Sequence, residues 1–323
     1  MHHREGACAR DPDGARRTGA AHRRGGGGGR GCRCRCGGAG GVNAGPYEVR
    51  ALTTGRFRLD GGAMFGNVPR VLWERSYPPD AQHRIDLDLR VVLLEGDGRR
   101  VLVDTGSGNL WSEKEQGLYD VDASSRPGVV GALEAAGVEP DSITDVVLTH
   151  LHFDHAGGVT RRGDDGNPVA TFPTARHHVQ RANLAAAREP NVRERRSYLR
   201  RHWEPLLETD LILWDGAAEI LPGVFGVPTE GHTAGLMTIR AGEGEGAVLF
   251  PADVIPLASH VSIPWTMGYD LCPRTLMEEK RRLLTSAAEA GWVVVLEHDP
   301  GRPAVRVVED RGRFRASEDP LTI

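Results

Sequence analysis

The sequence predicts an α/β fold in which two mixed sheets pack face to face and helices cover their outer sides. Short apolar runs occur in two groups, within residues 89–149 and within residues 211–296, and helix-like segments accompany each group. Because each sheet must bury an apolar face, this arrangement favours two packed sheets with helices outside, an αββα sandwich. The 323 residues can bury a large core, and a single layered domain accounts for most of them.

The first group of elements opens with a hairpin. Asp97-Gly98 is a dipeptide typical of tight β-turns, and apolar-rich runs flank it. Val129 and Leu133 lie at helical spacing, and Gly137 would end that helix. The expected strands are Leu89–Glu95, Arg100–Val103 and Val146–Thr149.

The second group contains more strands and one long helix. Leu276, Leu284 and Ala287 form an apolar stripe that predicts a helix over Leu276–Ala290. Residues 176–209 are polar and rich in Arg, and we expect them to form a small helical cap inserted into the domain. The expected strands are Leu211–Trp214, Val224–Val227, Leu236–Arg240, Ala247–Phe250 and Trp292–Leu296.

The N-terminal residues 1–45 differ in composition from the body, residues 46–323. They hold a GGGGG run and nine Arg against three acidic residues, with almost no apolar content, so we expect a disordered tail. A start codon placed too early is a second interpretation. A metal-binding or nucleic-acid-binding tail built on Cys32, Cys34 and Cys36 is a third, but the C-x-C-x-C spacing lacks a fourth ligand and is not that of a zinc finger.

Global composition excludes several classes of protein. The net charge is −4, so nothing suggests binding to nucleic acid or to an anionic membrane. The sequence contains no apolar stretch of membrane-spanning length and no secretory h-region, and Cys272 is the single cysteine of the body. We therefore expect a cytoplasmic protein.

The decisive motif is His150-Leu151-His152-Phe153-Asp154-His155, which directly follows the strand predicted at Val146–Thr149. Residues two apart in an extended chain point to the same side, so His150 and His152 can face one metal ion. If a helix begins after His152, Asp154 and His155 can face the position of a second metal ion. Three imidazoles and a carboxylate suit zinc, and a His-rich surface loop would not require this spacing after a buried strand.

This motif resembles that of the metallo-β-lactamase superfamily, and further pieces follow in the family's order. They are Asp104-Thr105-Gly106, Gly231-His232-Thr233, Pro251-Ala252-Asp253 and Glu297-His298-Asp299, each just past a predicted strand. The resemblance covers roughly residues 47–305. It implies one metal held by His150, His152 and His232, and a second held by Asp154, His155 and His298. Asp253 would bridge the two.

The resemblance also implies roles for residues around the metals. Asp154 and Asp253 are the expected catalytic residues, Asp154 by moving a proton and Asp253 by bridging. Asp104 is expected to orient a ligand rather than bind metal. His260 lines or supports the pocket, whereas His83, His177, His178 and His202 lack a strand-end position and are expected at the surface or in the cap. Met64, Phe65, Trp73, Trp265 and Met267 are expected to form an apolar wall for an acyl chain, with ordinary core positions as the alternative, and Tyr269 is expected to donate a hydrogen bond to a substrate carbonyl.

Longer stretches are similar to the N-acyl-homoserine lactonase group, which opens quorum-sensing lactones. The similar stretches are residues 59–66, 71–73, 202–205 and 264–270. A β-lactamase of the common two-zinc type would carry Cys in place of Asp253. Opening of N-acyl-homoserine lactones is therefore the first hypothesis, and an aryl-ester or organophosphate hydrolase is the second. An iron-dependent oxidoreductase and a non-enzymatic binding protein of this fold are weaker, because all seven ligands are present.

The resemblance implies two divalent metal ions, zinc first, with iron or manganese as alternatives. The ions would activate water and polarise a carbonyl or phosphoryl oxygen. We expect a small molecule as the partner, with no nucleic acid and no membrane. A second copy of the chain, in a homodimer, is the macromolecular partner that we consider.

Overall fold

The computed structural model describes residues 41–121, 128–319 and 321–323. The strands of the first half are β1 (Val42–Ala44), β2 (Tyr47–Asp60), β3 (Arg84–Gly96), β4 (Arg99–Val103), β5 (Asp145–Val147), β6 (Thr160–Arg162), β7 (Pro168–Ala170), β8 (Arg176–Gln180) and β9 (Asp210–Trp214). Those of the second half are β10 (Ala218–Leu221), β11 (Val224–Thr229), β12 (Leu236–Ala241), β13 (Val248–Phe250), β14 (Val293–Val295), β15 (Ala304–Asp310) and β16 (Arg313–Ala316).

Helices separate these strands. They are α1 (Gly61–Phe65), α2 (Arg70–Trp73), α3 (Glu113–Tyr119), α4 (Gly128–Ala135), α5 (Phe153–Ala156), α6 (Arg181–Arg188), α7 (Arg200–Trp203) and α8 (Pro273–Glu289). Single 3₁₀ turns occur at Pro140–Ser142, Gly157–Val159, Glu204–Glu208, Ala252–Val254 and Ala258–Val261. Within the described ranges, no helix combines the length and the apolar character that a membrane crossing requires.

Two seven-stranded sheets form the centre of the fold. The first has the order β1-β2-β3-β4-β5-β8-β9, and the second has the order β10-β11-β12-β13-β14-β15-β16. The first sheet is antiparallel from β1 to β4 and parallel from β4 to β9. The second is antiparallel except for the β13–β14 pair.

Alternation along the strands sends apolar side chains to both faces of the first sheet. Val92 and Leu94 of β3 join Val248 and Val294 of the other sheet in one buried cluster. Their neighbours Val91 and Leu93 face the opposite way and pack with residues of α4, α6 and α7. Helix α8 buries Leu276, Leu284 and Ala287 against the second sheet. The predicted αββα sandwich is confirmed.

The topology places the ends of five strands at one edge of the sandwich. Strands β4 and β5 run parallel in the first sheet, and β13 and β14 run parallel in the second. Strand β11 has the same direction as β13, because both are antiparallel to β12. The loops that leave these strand ends carry the seven predicted metal ligands together with Asp104.

The structure corrects two predicted boundaries. The cap was expected over residues 176–209, but Arg176–Gln180 form β8, a parallel strand inside the first sheet. The inserted helices therefore begin at Arg181. The tail was expected to extend to residue 45, but Val42–Ala44 pair with β2 as β1. Residues 1–40, on which the rest of that prediction falls, lie outside the described ranges.

Three histidines expected at the surface or in the cap are buried. The expectation is wrong for His177 and His178, which lie inside the first sheet, whereas His202 lies on α7 within the insert. His177 and His178 lie on β8 with 0% and 1% of their surface exposed. His178 pairs with Asp145 at 3.0 Å, and His177 hydrogen-bonds the Thr209 hydroxyl at 3.1 Å. His202 is also 0% exposed and packs edge-on against the Trp111 ring. A polar partner inside the sheet lets a histidine replace an apolar core residue.

Candidate metal centre

The H-x-H-x-D-H segment changes from extended to helical backbone within three residues. After β5 the chain stays extended through His152, whose φ and ψ are −64° and 153°, and α5 begins at Phe153. His150 and His152 therefore face one side. Asp154 and His155 lie in the first turn of α5 and face a neighbouring position, and all four side chains are buried.

Three imidazole nitrogens and one carboxylate oxygen converge at the first position. His150 Nε2 lies 3.0 Å from His152 Nδ1, and His152 Nδ1 lies 3.3 Å from His232 Nε2. Asp253 Oδ2 lies 3.2 Å from His232 Nε2 and 4.0 Å from His150 Nε2. In a tetrahedral zinc site with bonds of about 2.0–2.1 Å, ligand atoms lie roughly 3.3 Å apart. The three histidines are named here the three-histidine set, and the distances from His152 Nδ1 to the other two nitrogens match that spacing.

A second group, named here the Asp-His-His set, lies beside the first. It consists of Asp154, His155 and His298, whose ligand atoms lie within 4.8 Å of one another. Asp154 Oδ2 is 3.9 Å from His155 Nε2 and 3.7 Å from His298 Nε2. These separations are longer than those of the three-histidine set and also fit a metal held by two imidazoles and one carboxylate.

Asp253 lies between the two sets. Its Oδ2 faces His232 Nε2 at 3.2 Å, and its Oδ1 faces His298 Nε2 at 3.2 Å. Burial alone would raise the pKa of Asp253, but the imidazoles of His155 and His232 outweigh it and hold the pKa well below its usual value. The preceding Ala252 has a positive φ of 47°, a strained conformation that aims the carboxylate.

The chemistry of these atoms fits metal ions. Among the described residues, His155 Nε2, His298 Nε2 and Asp253 Oδ1 are buried and have no hydrogen-bond partner. Unpartnered buried polar atoms are costly, and here they converge on a common point. Burial and neighbouring imidazoles keep the pKa of His150 well below its usual value, whereas nearby carboxylates, Asp253 among them, outweigh burial and raise the pKa of His155, His232 and His298. Nitrogen and oxygen donors together suit zinc, with iron and manganese also accommodated.

The nitrogen of each histidine that faces away from the centre has a polar neighbour. Such partners fix the tautomer and the orientation of a metal-binding ring. Four of these neighbours, Thr149, Asp270, Asp88 and Glu194, had no role assigned from the sequence. The contacts are Thr149 Oγ1 to His150 Nδ1 at 3.1 Å, Asp104 Oδ2 to His155 Nδ1 at 3.0 Å, Asp270 Oδ1 to His232 Nδ1 at 2.9 Å, the Asp88 carbonyl oxygen to His298 Nδ1 at 2.9 Å, and Glu194 Oε1 to His152 Nε2 at 3.7 Å.

Asp104 occupies the orienting position expected from the sequence. Besides His155, it accepts hydrogen bonds from the Thr149 backbone amide at 2.7 Å and from the Thr149 hydroxyl at 2.6 Å. It therefore connects the ends of β4 and β5. The two loops approach so closely that a Cβ on Gly157 would lie 2.3 Å from the Ser107 carbonyl oxygen, and one on Gly158 would lie 2.1 Å from that of Thr105. The glycine pair is required by this contact.

Glu297 is a buried carboxyl group whose role sequence reasoning missed. Its Oε2 lies 2.9 Å from His155 Nδ1, the same nitrogen that Asp104 contacts, and burial raises the pKa of Glu297 to about 8. Asp104, His155 and Glu297 form a third cluster of ligand-type atoms. We interpret Asp104 as the hydrogen-bonded support of His155, because Thr149 already engages Asp104 and because His155 directs its other nitrogen toward the metal centre, whereas both Glu297 oxygens are buried without a hydrogen-bond partner among the described residues.

Four of the six predicted substrate-binding residues are core residues. Met64, Phe65, Trp73 and Met267 are at most 3% exposed, and the Phe65 ring stacks on that of Trp73 at 5.0 Å. The half-buried Trp265 packs against their cluster. Tyr269 is 37% exposed. Burial of its hydroxyl end, together with nearby carboxylates that include Asp154 and Asp253, raises its pKa.

His260 supports this cluster from inside. The ring is 1% exposed, stacks on Phe65 at 5.3 Å and lies 3.0 Å from the Met64 carbonyl oxygen. Burial lowers the pKa of His260 to about 3, so it stays neutral. His260 therefore holds α1 in place. Of the two roles expected for it, lining the pocket or supporting it, this geometry agrees with support.

A second aromatic group beside the ligands was not predicted. Phe57 packs on the His298 ring at 5.5 Å, and Tyr119 packs on Phe153 at 4.8 Å. Trp111 contacts Phe153 at 5.4 Å and Tyr119 at 5.8 Å. Burial and the Asp154 carboxylate raise the pKa of Tyr119, so its hydroxyl is a neutral hydrogen-bond donor near Asp154. Of these four aromatic residues, only Phe153 lies in a stretch that the sequence singles out, the histidine motif.

Comparisons with known proteins agree with this geometry. Residues 90–298 match the family described as the metallo-beta-lactamase superfamily. The chain is 33% identical over 281 residues to probable metallo-hydrolase Mb2322c of Mycobacterium bovis, covering 74% of this chain and 85% of that protein. It is 27% identical over 227 residues to N-acyl homoserine lactonase AiiA of Bacillus thuringiensis subsp. kurstaki, covering 67% and 82%. The predicted resemblance to the lactonase group is confirmed.

A solved structure supports the same assignment. A probable metal-dependent hydrolase from Staphylococcus aureus aligns with a TM-score of 0.77 at 28% identity, covering 87% of this chain and 100% of that one. Fold, ligand geometry and relatives therefore point to the same conclusion. The chain belongs to the metallo-beta-lactamase superfamily, and it is a metal-dependent hydrolase.

Proposed function

We propose that this hydrolase opens lactone rings, with N-acyl-homoserine lactones as the preferred substrates and two zinc ions as the cofactor. The observation that carries the proposal is the position of Asp253, whose two oxygens face the two ligand sets at 3.2 Å each. A carboxylate at this place, in a chain with lactonase relatives, favours ester-like substrates over β-lactams.

Two bound divalent ions supply Lewis acidity toward a carbonyl oxygen and make water more acidic. The chain's own residues then position the substrate and move protons. The Asp154 carboxylate is 7% exposed and lies beside His298, where it can hold a proton from water and return it to the ring oxygen as the ester bond breaks. The neutral hydroxyls of Tyr119 and Tyr269 can donate hydrogen bonds to the substrate.

Phe57, Trp111 and Phe153 are at most 6% exposed and form a packed apolar layer beside the ligands. The half-buried Tyr119 is the member of this group that an acyl chain can contact, which favours lactones that carry an apolar substituent. Among the residues predicted from the sequence, Trp265 and Tyr269 retain accessible surface and can contact substrate.

A substrate panel tests this proposal. The zinc-loaded protein is assayed by proton release with N-hexanoyl-homoserine lactone, a simple γ-lactone, phenyl acetate, paraoxon and a β-lactam. We expect kcat/KM for the acyl lactone to exceed every other value at least tenfold. Asp253→Ala, purified and loaded in the same way, controls for contaminating hydrolases. A higher kcat/KM for phenyl acetate or paraoxon would replace the lactonase proposal with an esterase or phosphotriesterase assignment.

A further inference from the structure

We propose that Glu194, in the segment between α6 and α7, is a positioning residue that fixes His152 for metal binding. The insert would then help to hold the three-histidine set in its metal-binding geometry. The proposal rests on the metal centre and not on the choice of lactone as substrate, so its test uses zinc alone.

The orientation of His152 creates a need for an acceptor. Its Nδ1 faces His150 Nε2 at 3.0 Å and His232 Nε2 at 3.3 Å, so Nδ1 is the metal-binding atom. A neutral imidazole that binds metal through Nδ1 carries its proton on Nε2. This Nε2 is buried and has no hydrogen-bond partner among the described residues. Glu194 Oε1, 3.7 Å away, is the carboxylate oxygen that faces it.

Glu194 is held in place for this purpose. The residue is 5% exposed, and its two oxygens accept hydrogen bonds from different partners. Asn191 Nδ2 donates to Oε2, and the Thr233 hydroxyl donates to Oε1. Thr233 directly follows the ligand His232, so the carboxylate joins the segment to two ligand loops. A movement of less than about 1 Å would convert the contact with His152 into a hydrogen bond.

Helix α6 and the segment that follows it contact the backbone on both sides of His152. The Leu151 amide donates to Asn183 Oδ1 at 2.9 Å, and the Phe153 amide donates to the Ser197 carbonyl oxygen at 3.0 Å. Tyr198 packs on the His152 ring at 4.6 Å, and its hydroxyl lies 2.7 Å from the Thr233 hydroxyl. His152 is therefore held from the insert through its ring and through both neighbouring peptide groups.

Zinc affinity measured by competition with a chromophoric chelator tests the proposal. Loss of a carboxylate partner lowers the metal affinity of a site about 10–100-fold. We expect Glu194→Gln to weaken the affinity of the three-histidine set by this factor and to shift the visible spectrum of the Co²⁺-substituted protein. Glu189→Gln removes the same charge from an exposed position in the same segment and should change neither.

The melting temperature of the metal-free protein separates positioning from structural support. The proposal requires metal-free Glu194→Gln to melt close to the metal-free wild type while its zinc affinity falls. An unchanged zinc affinity, or equal losses of melting temperature with and without zinc, would overturn it. If the variant does not fold, hydrogen exchange of the wild type decides. Zinc should slow exchange in residues 191–198, and equal exchange with and without zinc would contradict the proposal.

Discussion

The two ligand sets are supported by different parts of the fold. The three-histidine set depends on Glu194 from the insert and on Asp270 from the loop before α8. The Asp-His-His set depends on Asp104, which directly follows β4, and on the Asp88 carbonyl oxygen of β3, so its support comes from the first sheet. A change in a peripheral segment should therefore affect one metal, whereas a change beside the sheet should affect a metal and the stability of the fold.

The largest expected effect comes from the residue that both sets share. Asp253→Ala removes the carboxylate that faces His232 and His298, so metal affinity should fall at both positions. We expect kcat on the best substrate to fall about a thousandfold or more, with a folded protein by circular dichroism. Asp253→Cys retains a zinc ligand but not a two-oxygen bridge, and should keep some metal with little activity. Wild-type kcat in Asp253→Ala would show that the residue does not bridge.

The two ligand sets are supported by different parts of the fold, so the same Asp→Asn change should destabilise the protein to a different extent in each set. Asp104→Asn places an amide between the Thr149 and His155 donors, and we expect a loss of about 2 kcal/mol in the free energy of unfolding of the metal-free protein. Asp270→Asn affects His232 and the nearby Met267 amide, so its stability loss should be smaller.

Both substitutions should lower metal affinity 10–100-fold at their own set. Urea unfolding of the metal-free proteins and zinc titrations measure the two effects separately. Equal stability losses in the two variants would remove the proposed distinction between peripheral and central support.

Lys280 is buried near Asp270, the partner of His232, and we expect its titration to make the stability of the fold depend on pH. Its side chain is 0% exposed and donates to the Trp265 carbonyl oxygen at 2.6 Å, and burial lowers its pKa to about 7 against the attraction of Asp270. Between about pH 7 and pH 10 the unfolded chain binds a proton that the folded chain does not, so rising pH adds stability.

The slope from this one group is up to about 1.4 kcal/mol per pH unit. Lys280→Met should remove it, and urea unfolding of both metal-free proteins from pH 7 to pH 10 measures the difference. Parallel stability curves for the two proteins would mean that Lys280 keeps its proton in the folded state.

The smallest expected effect concerns the beginning of the domain. Strand β1 buries Ala44 and partly buries Val42 against the sandwich core. A chain that begins at Gly41 should match the full chain in activity and melting temperature. One that begins at Pro46 should lose about 1–2 kcal/mol of stability because β1 is absent. A large loss already at Gly41 would show that residues 1–40 contribute to the fold.

Sequence reasoning succeeded where local patterns determine position. The histidine motif is contiguous and follows a buried strand, so its four side chains could be assigned to two neighbouring positions before any distance was known. Asp253 and His298 each follow a short apolar run that forms a central strand. Their assignment to the two metals rested on the family resemblance, because strand periodicity fixes the face of a side chain and not the edge of the sheet that a strand end reaches.

The partners of the ligands could not be found in this way. Glu194 lies 42 residues after His152 in a polar, Arg-rich segment, and only tertiary packing brings it to the ring. His177 and His178 look like surface residues by composition, yet β8 is an interior strand, where Thr209 pairs with His177 Nδ1 and Asp145 pairs with His178 Nε2. Burial of a polar residue depends on its partner, and the partner is set by the fold.

Activity as a function of added zinc tests the central claim most directly. The metal-free protein is titrated with zinc while hydrolysis of N-hexanoyl-homoserine lactone and bound metal are measured in the same samples. Because Asp253 joins the two sets, we expect full activity to require two zinc ions per chain, with the rise in rate following the second. A plateau after one ion, or activity that does not depend on zinc, would contradict a reaction carried out by the two sets together.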